Sequence, residues 1–104
     1  MIIRIVKMEF MEKRIPDFLE IFAASREKIR SYPGCSHLRL LQSESDSCVF
    51  FTYSHWDQAS DLEAYRNSDL FQVVWSDTKK LFRAAPTAWS LTDQTDVIAY
   101  PVYN

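Results

Sequence analysis

Two histidines, a scatter of arginines and a set of aromatic rings are the groups in this sequence best suited to chemistry near neutral pH. His37 and His55 are the chain's only histidines, and imidazole alone titrates unperturbed in that range. They fall in two candidate strands, 35–43 and 47–56, on either side of the polar segment Ser43-Glu44-Ser45-Asp46-Ser47. A hairpin pivoting near Ser45 predicts His37 opposite Tyr53, Cys35 opposite His55 and Arg39 opposite Phe51, with all six on one face. His37, Arg39, Tyr53 and His55 would then offer a base and an anion stabiliser. The plainer alternative is a strand pair whose polar ends reach solvent. In this register Cys48 points away from Cys35, so no disulfide is expected.

A second group lies on candidate helices. Tyr65, Phe71, Trp75 and Phe82 recur at helical spacing and are expected to face the sheet. Packing is the ordinary role of such a stripe, but the Tyr65 hydroxyl and Trp75 indole N–H need partners when buried. A cavity between sheet and helices, lined by such groups, would suit a flat aromatic ligand. Arg4, Arg66 and Lys79, with Lys7, are candidate partners for an anion. Trp56 and Trp89 read as structural. There is no serine in an elbow motif and no Cys/His pair with a third member. A metal would need both histidines plus a carboxylate, and Glu44 and Asp57 are poorly placed for that, so no metal is expected.

The elements that must position these groups follow from punctuation and period. Residues 2–10 alternate β-branched and polar side chains and predict a first strand. Pro16 suits a first helical turn, and Phe18, Phe22, Ser25 and Ile29 form one stripe, which predicts a helix over 16–32. Tyr32-Pro33-Gly34 stops it. Asp57 can cap a short helix over 58–67, and Ser68 can cap another that carries Phe71, Val74, Trp75, Thr78, Leu81 and Phe82 until Pro86 ends it. Thr87–Thr92 predicts a fourth strand and 97–103 a fifth extended segment. The order is that of an α+β, ferredoxin-like split βαβ sandwich, an antiparallel sheet with helices on one face. Val49-Phe50-Phe51-Thr52-Tyr53 is apolar or aromatic on both faces. A second copy, sheet against sheet, is the simplest cover for the helix-free side, so a homodimer is expected.

Bulk properties narrow the class. At 104 residues the chain predicts one domain, 1–104. Hydrophobic residues make up 47% and net charge is −2, which argues against disorder and against nucleic acid or an anionic membrane as partner. No apolar run approaches a membrane span and the N-terminus lacks a signal-peptide pattern, while two cysteines make no disulfide framework. A cytoplasmic location is the expectation. One glycine, Gly34, excludes glycine-rich phosphate loops.

Three strings, Tyr32-Pro33-Gly34-Cys35-Ser36-His37-Leu38, Phe51-Thr52-Tyr53-Ser54-His55-Trp56 and Leu62-Glu63-Ala64-Tyr65-Arg66-Asn67-Ser68-Asp69-Leu70-Phe71, resemble the antibiotic biosynthesis monooxygenase (ABM) domain family in order and spacing. The resemblance implies a dimeric α+β barrel. It also implies a cofactor-independent monooxygenase that oxidises a small phenolic or quinol-type aromatic with dioxygen. His37, His55, Tyr65 and Trp75 would be the catalytic candidates. Arg4, Tyr53, Arg66, Phe71, Lys79 and Phe82 would be substrate-binding candidates. No cofactor is expected, since the positions corresponding to the haem-degrading branch hold Lys7, Tyr65 and Trp75. A non-catalytic dimeric binding or stress-response module, or a haem-degrading, isomerase or lyase member of the fold, are the alternatives.

Overall fold

The computed structural model describes the backbone of residues 1–98 and the side chains of residues 1–96. Strand β1 (Ile2–Phe10) leads through a 3₁₀ turn at Glu12–Arg14 into helix α1 (Ile15–Arg30). Strands β2 (Cys35–Gln42) and β3 (Val49–Trp56) form the hairpin, followed by α2 (Ala59–Arg66), α3 (Asp69–Lys79), β4 (Phe82–Leu91) and a short α4 (Thr95–Ile98). The sheet order is β2-β3-β1-β4, and all neighbours are antiparallel. β1 and β2 therefore run parallel on either side of β3, as a split βαβ unit requires. The architecture is the α+β ferredoxin-like sandwich that the sequence predicts.

Local chemistry sets the boundaries. Pro16 sits in the first turn of α1, where its missing N–H costs nothing. Gly34 ends the following turn with φ of 89°, a conformation that L side chains rarely adopt. A Cβ there would also run into the Asp61 side chain. The same turn accepts the Asp57 N–H at the Gly34 carbonyl, 2.8 Å away, and so fixes the start of α2. Gln58 and Asp61 complete a reciprocal cap on α2, and the Ser68 hydroxyl accepts the Phe71 N–H to start α3.

Several expectations are corrected. The helix carrying Trp75 stops at Lys79 rather than at Pro86, so Phe82 opens β4 and does not lie on a helix. Pro86 falls inside β4, where the register with β1 slips between the pairs Lys7–Thr87 and Glu9–Ala84. Three residues of β4 there span two of β1. A bulge on an edge strand asks for fewer ladder donors, and so tolerates proline. The hairpin register differs by two residues from the predicted one: His37 faces His55, Arg39 faces Tyr53 and Leu41 faces Phe51. A two-residue slip keeps each side chain on its face. Cys35 is the exception. An irregularity between Cys35 and His37 turns Cys35 inward, where it is buried with Trp56. Val97 and Ile98 close α4 instead of opening a fifth strand, and the rest of that expected segment lies outside the described residues. Trp89 is 43% exposed, not structural in the sense expected, whereas Trp56 is almost fully buried.

All the buried apolar residues but Cys48 and Val49 fall into two clusters. One gathers Met8, Phe10, Phe18, Phe50 and Leu81. The other gathers Ile29, Cys35, Trp56, Leu62 and Tyr65. The turn at Gly34 joins the second cluster to the start of α2. Gly34→Ala is expected to lose about 1–3 kcal/mol of stability through backbone strain and displacement of Asp61. Urea unfolding followed by tryptophan fluorescence measures this, and an unchanged midpoint would contradict it.

Candidate functional site

Alternation along the strands divides the sheet into two chemically different faces. Even-numbered residues of β1 and β3 face the helices: the pairs Ile2–Trp56, Arg4–Ser54, Val6–Thr52 and Met8–Phe50 lie side by side. Leu38 and Leu40 extend two of these rows on β2, and Ser90 and Ala88 extend them on β4. In the middle of this face the side chains are short: Thr52, Ser54, Val6 and Ala88. They cannot reach the helices, and a chamber of about 290 Å³ opens between the two core clusters. That is the lower end of the range for ligand sites.

The helices supply the roof. Tyr65 stacks on Trp56 at 4.9 Å between ring centroids and meets Phe71 edge-on at 5.3 Å. Phe71 in turn stacks on Trp75 at 5.8 Å. Tyr65, Phe71 and Trp75 all line the chamber. Trp75 continues the chain of rings to Phe82, 5.5 Å away, which packs against the first core cluster. Trp56 donates its indole N–H to the Ser54 hydroxyl at 3.0 Å. Ser54 keeps its own proton for another acceptor. Burial pushes the Tyr65 hydroxyl well above the ordinary tyrosine range, with a smaller contribution from Cys35, so Tyr65 remains a neutral donor.

Charge enters the chamber from one side. Arg4 and Arg66 both line it. Arg4 donates to the Ser90 hydroxyl at 2.9 Å. Desolvation and the positive charge of Arg66 lower the Arg4 pKa from its ordinary value. Arg66 belongs to the last turn of α2, where a cation also suits the helix dipole.

The opposite, helix-free face carries the odd-numbered residues. Its first row is His37–His55–Ile3–Leu91, and its second is Arg39–Tyr53–Ile5–Trp89. The imidazoles of His37 and His55 lie 4.7 Å apart between centroids, and His55 Nε2 is 3.0 Å from the Tyr53 hydroxyl. The sequence-derived candidates are therefore brought together as two groups rather than one. Arg4, Tyr65, Arg66, Phe71 and Trp75 meet at the chamber. His37, Tyr53 and His55 meet on the other side of the sheet. Phe82 stands behind Trp75, and Lys79 is exposed at the end of α3, away from the chamber lining. Among the described residues, no three His, Cys, Asp or Glu side chains cluster as a metal site would need. No helix among them is long and apolar enough to cross a membrane.

Sequence reasoning missed the chamber floor. Thr52, Ser54 and Ala88 matter through what they leave empty. The alternation Phe50-x-Thr52-x-Ser54-x-Trp56 was the available signal: two small polar residues between two large aromatics on a face that should be core.

The family model for antibiotic biosynthesis monooxygenase matches residues 1–75. The chain belongs to that family. No functionally curated protein matches it. Among solved structures, an antibiotic biosynthesis monooxygenase superposes with a TM-score of 0.84 at 18% identity, covering 89% of this chain and 98% of the other. A conserved protein from Methanosarcina mazei Go1 gives 0.83 at 15% identity, covering 88% and 92%. A candidate antibiotic biosynthesis monooxygenase from Nitrosomonas europaea gives 0.83 at 17% identity, covering 89% and 98%. At such identities the likeness speaks for the ABM fold alone.

The histidine face makes stability pH-dependent. Desolvation, then the positive neighbours His55, Arg39 and Arg30, hold the His37 pKa below its ordinary value of 6.5. The unfolded chain then takes up the proton first as pH falls. His37 thus favours folding above pH 6.5, and that contribution is lost between 6.5 and the lower folded-state value. His37→Gln is expected to flatten the fall in melting temperature between about pH 7.5 and about pH 5.5, the span in which imidazole charges. A parallel fall in both proteins would contradict it.

Proposed function

We propose that this ABM-family chain is a monooxygenase that oxidises a small phenolic or quinol-type aromatic with dioxygen, without a bound cofactor. The observation that carries this reading is the chamber itself. It has room for a small ring system, a roof of Tyr65, Phe71 and Trp75, and two guanidinium groups at its side.

Dioxygen reacts slowly with closed-shell organic molecules because its ground state is a triplet. An electron-rich phenolate or hydroquinone anion avoids that barrier by giving up one electron, leaving an aryloxyl radical and superoxide. Their recombination at a ring carbon bearing hydrogen makes a C–O bond. Loss of water then leaves a carbonyl, so one oxygen atom stays on the substrate and the other departs as water. All four electrons come from the substrate. The protein's part is electrostatic and steric. Arg4 and Arg66 favour the anion, Tyr65 donates a hydrogen bond, and the aromatic walls keep water from the radical pair.

The reading includes a homodimer in a reducing cytoplasm, where the two free cysteines stay thiols. The helix-free face supports the dimer: Ile3, Ile5, Phe51, Trp89 and Leu91 share it, and Trp89 and Leu91 are each more than 40% exposed. A second copy packed sheet to sheet would bury them.

Protein stripped of metal and flavin is expected to consume oxygen saturably with a panel of hydroquinones. Arg4→Gln should lower kcat/KM by roughly a hundredfold, the scale for losing one preorganised charge donor. Thr52→Leu should fill the chamber floor and abolish turnover while leaving stability unchanged or raised. Binding of hydroquinones with no oxygen uptake would instead identify a non-catalytic binding module. Sedimentation at micromolar concentration should give a dimer, and a folded monomer would contradict that part.

A further inference from the structure

We propose that the chamber takes its ligand as a planar aromatic anion, already deprotonated, with the negative charge set against Arg4 and Arg66. The inference deepens the monooxygenase reading and rests on the chamber being its ligand site. It follows from which ionisable groups the lining holds. Among the described residues two arginines line the chamber, with no histidine, carboxylate or lysine in the lining. Neither arginine joins an ion pair among the described residues, where the ion pairs are made by Arg14, Lys80 and Arg83. Arg4 directs Nη1 to Ser90 and has further N–H groups to offer.

Two positive charges beside an apolar wall repel each other, and among the described residues neither has an ion-pair partner. A neutral phenol relieves neither defect, and an anion relieves both. The chain's two histidines are its natural bases, but His37 and His55 lie across the sheet from the chamber. Tyr65 is held protonated. The proton therefore leaves to water, before or during entry, and the pH profile of the reaction follows the ligand's own ionisation as lowered by the arginines.

The test uses full-length protein and 4-nitrophenol, whose phenolate form is coloured. The expected result is a bound probe that ionises at least about one pH unit below the free probe, a tenfold preference for the anion. Arg4→Gln and Arg66→Gln should each shrink the shift, while His37→Gln and His55→Gln leave it unchanged. A second measurement needs only the wild-type protein: 1-naphthoate should bind at least about tenfold more tightly than the isosteric neutral 1-naphthamide. Overturning results are an unshifted or raised probe pKa, a shift that vanishes in the histidine variants, equal binding of acid and amide, or no binding of either. Oxygen uptake separates the two readings. Turnover of hydroquinones without anion preference sinks this inference and spares the monooxygenase. Anion preference without turnover on any substrate does the reverse.

Discussion

A row of short side chains beneath the helices keeps the hydrophobic core from closing. Large residues at positions 52, 54 and 88 would merge the Phe10 and Trp56 clusters into one continuous interior. With Thr52, Ser54 and Ala88 there instead, the helices are propped apart from the middle of the sheet and rest on its two ends. Packed proteins ordinarily tolerate no such void, because unfilled space forfeits dispersion contacts. The aromatic chain from Trp56 through Tyr65, Phe71 and Trp75 to Phe82 spans the gap as an arch. Tyr65, Phe71 and Trp75, the rings over the chamber, each meet another ring on both sides.

The same strand alternation explains why chemistry is partitioned. β3 carries Thr52 and Ser54 on one face and Tyr53 and His55 on the other, one residue apart in sequence and separated by the thickness of the sheet. The inner face carries the short side chains of the chamber floor and the guanidinium group of Arg4. The outer face is built from apolar rows edged with imidazole and guanidinium groups, a composition suited to contact with another protein surface more than to solvent. The inner face brings a cavity, a roof of aromatic rings and two guanidinium groups together.

The strands, the helices and their order were legible in the residues because each element is bounded by strong local signals: Pro16, Gly34, Ser68 and the alternation in β1. Boundaries failed where tertiary context outweighed local pattern. Leu81 and Phe82 continue a helical period, yet pairing with β1 draws Phe82 into a strand. Pro86 reads as a terminator but occupies a bulge. The hairpin loop has no turn residues of fixed geometry, so its pivot lay one residue off and the pairing two. The parity argument survived that error, which is why His37, Tyr53 and His55 were correctly placed on one face. What pattern could not supply was which face the helices would cover, and hence that Arg4 and the histidines would be parted.

β4 stands apart from the rest of the sheet in what it supports. Pro86, Thr87 and Ala88 border the chamber, yet from Arg83 to Leu91 every residue of the strand is exposed and none belongs to either core cluster. Replacements along this wall would reshape the cavity while leaving the packing that holds the domain intact. The roof has no such freedom, because Tyr65 belongs to chamber and core at once; along β4, by contrast, cavity shape and domain packing rest on different residues.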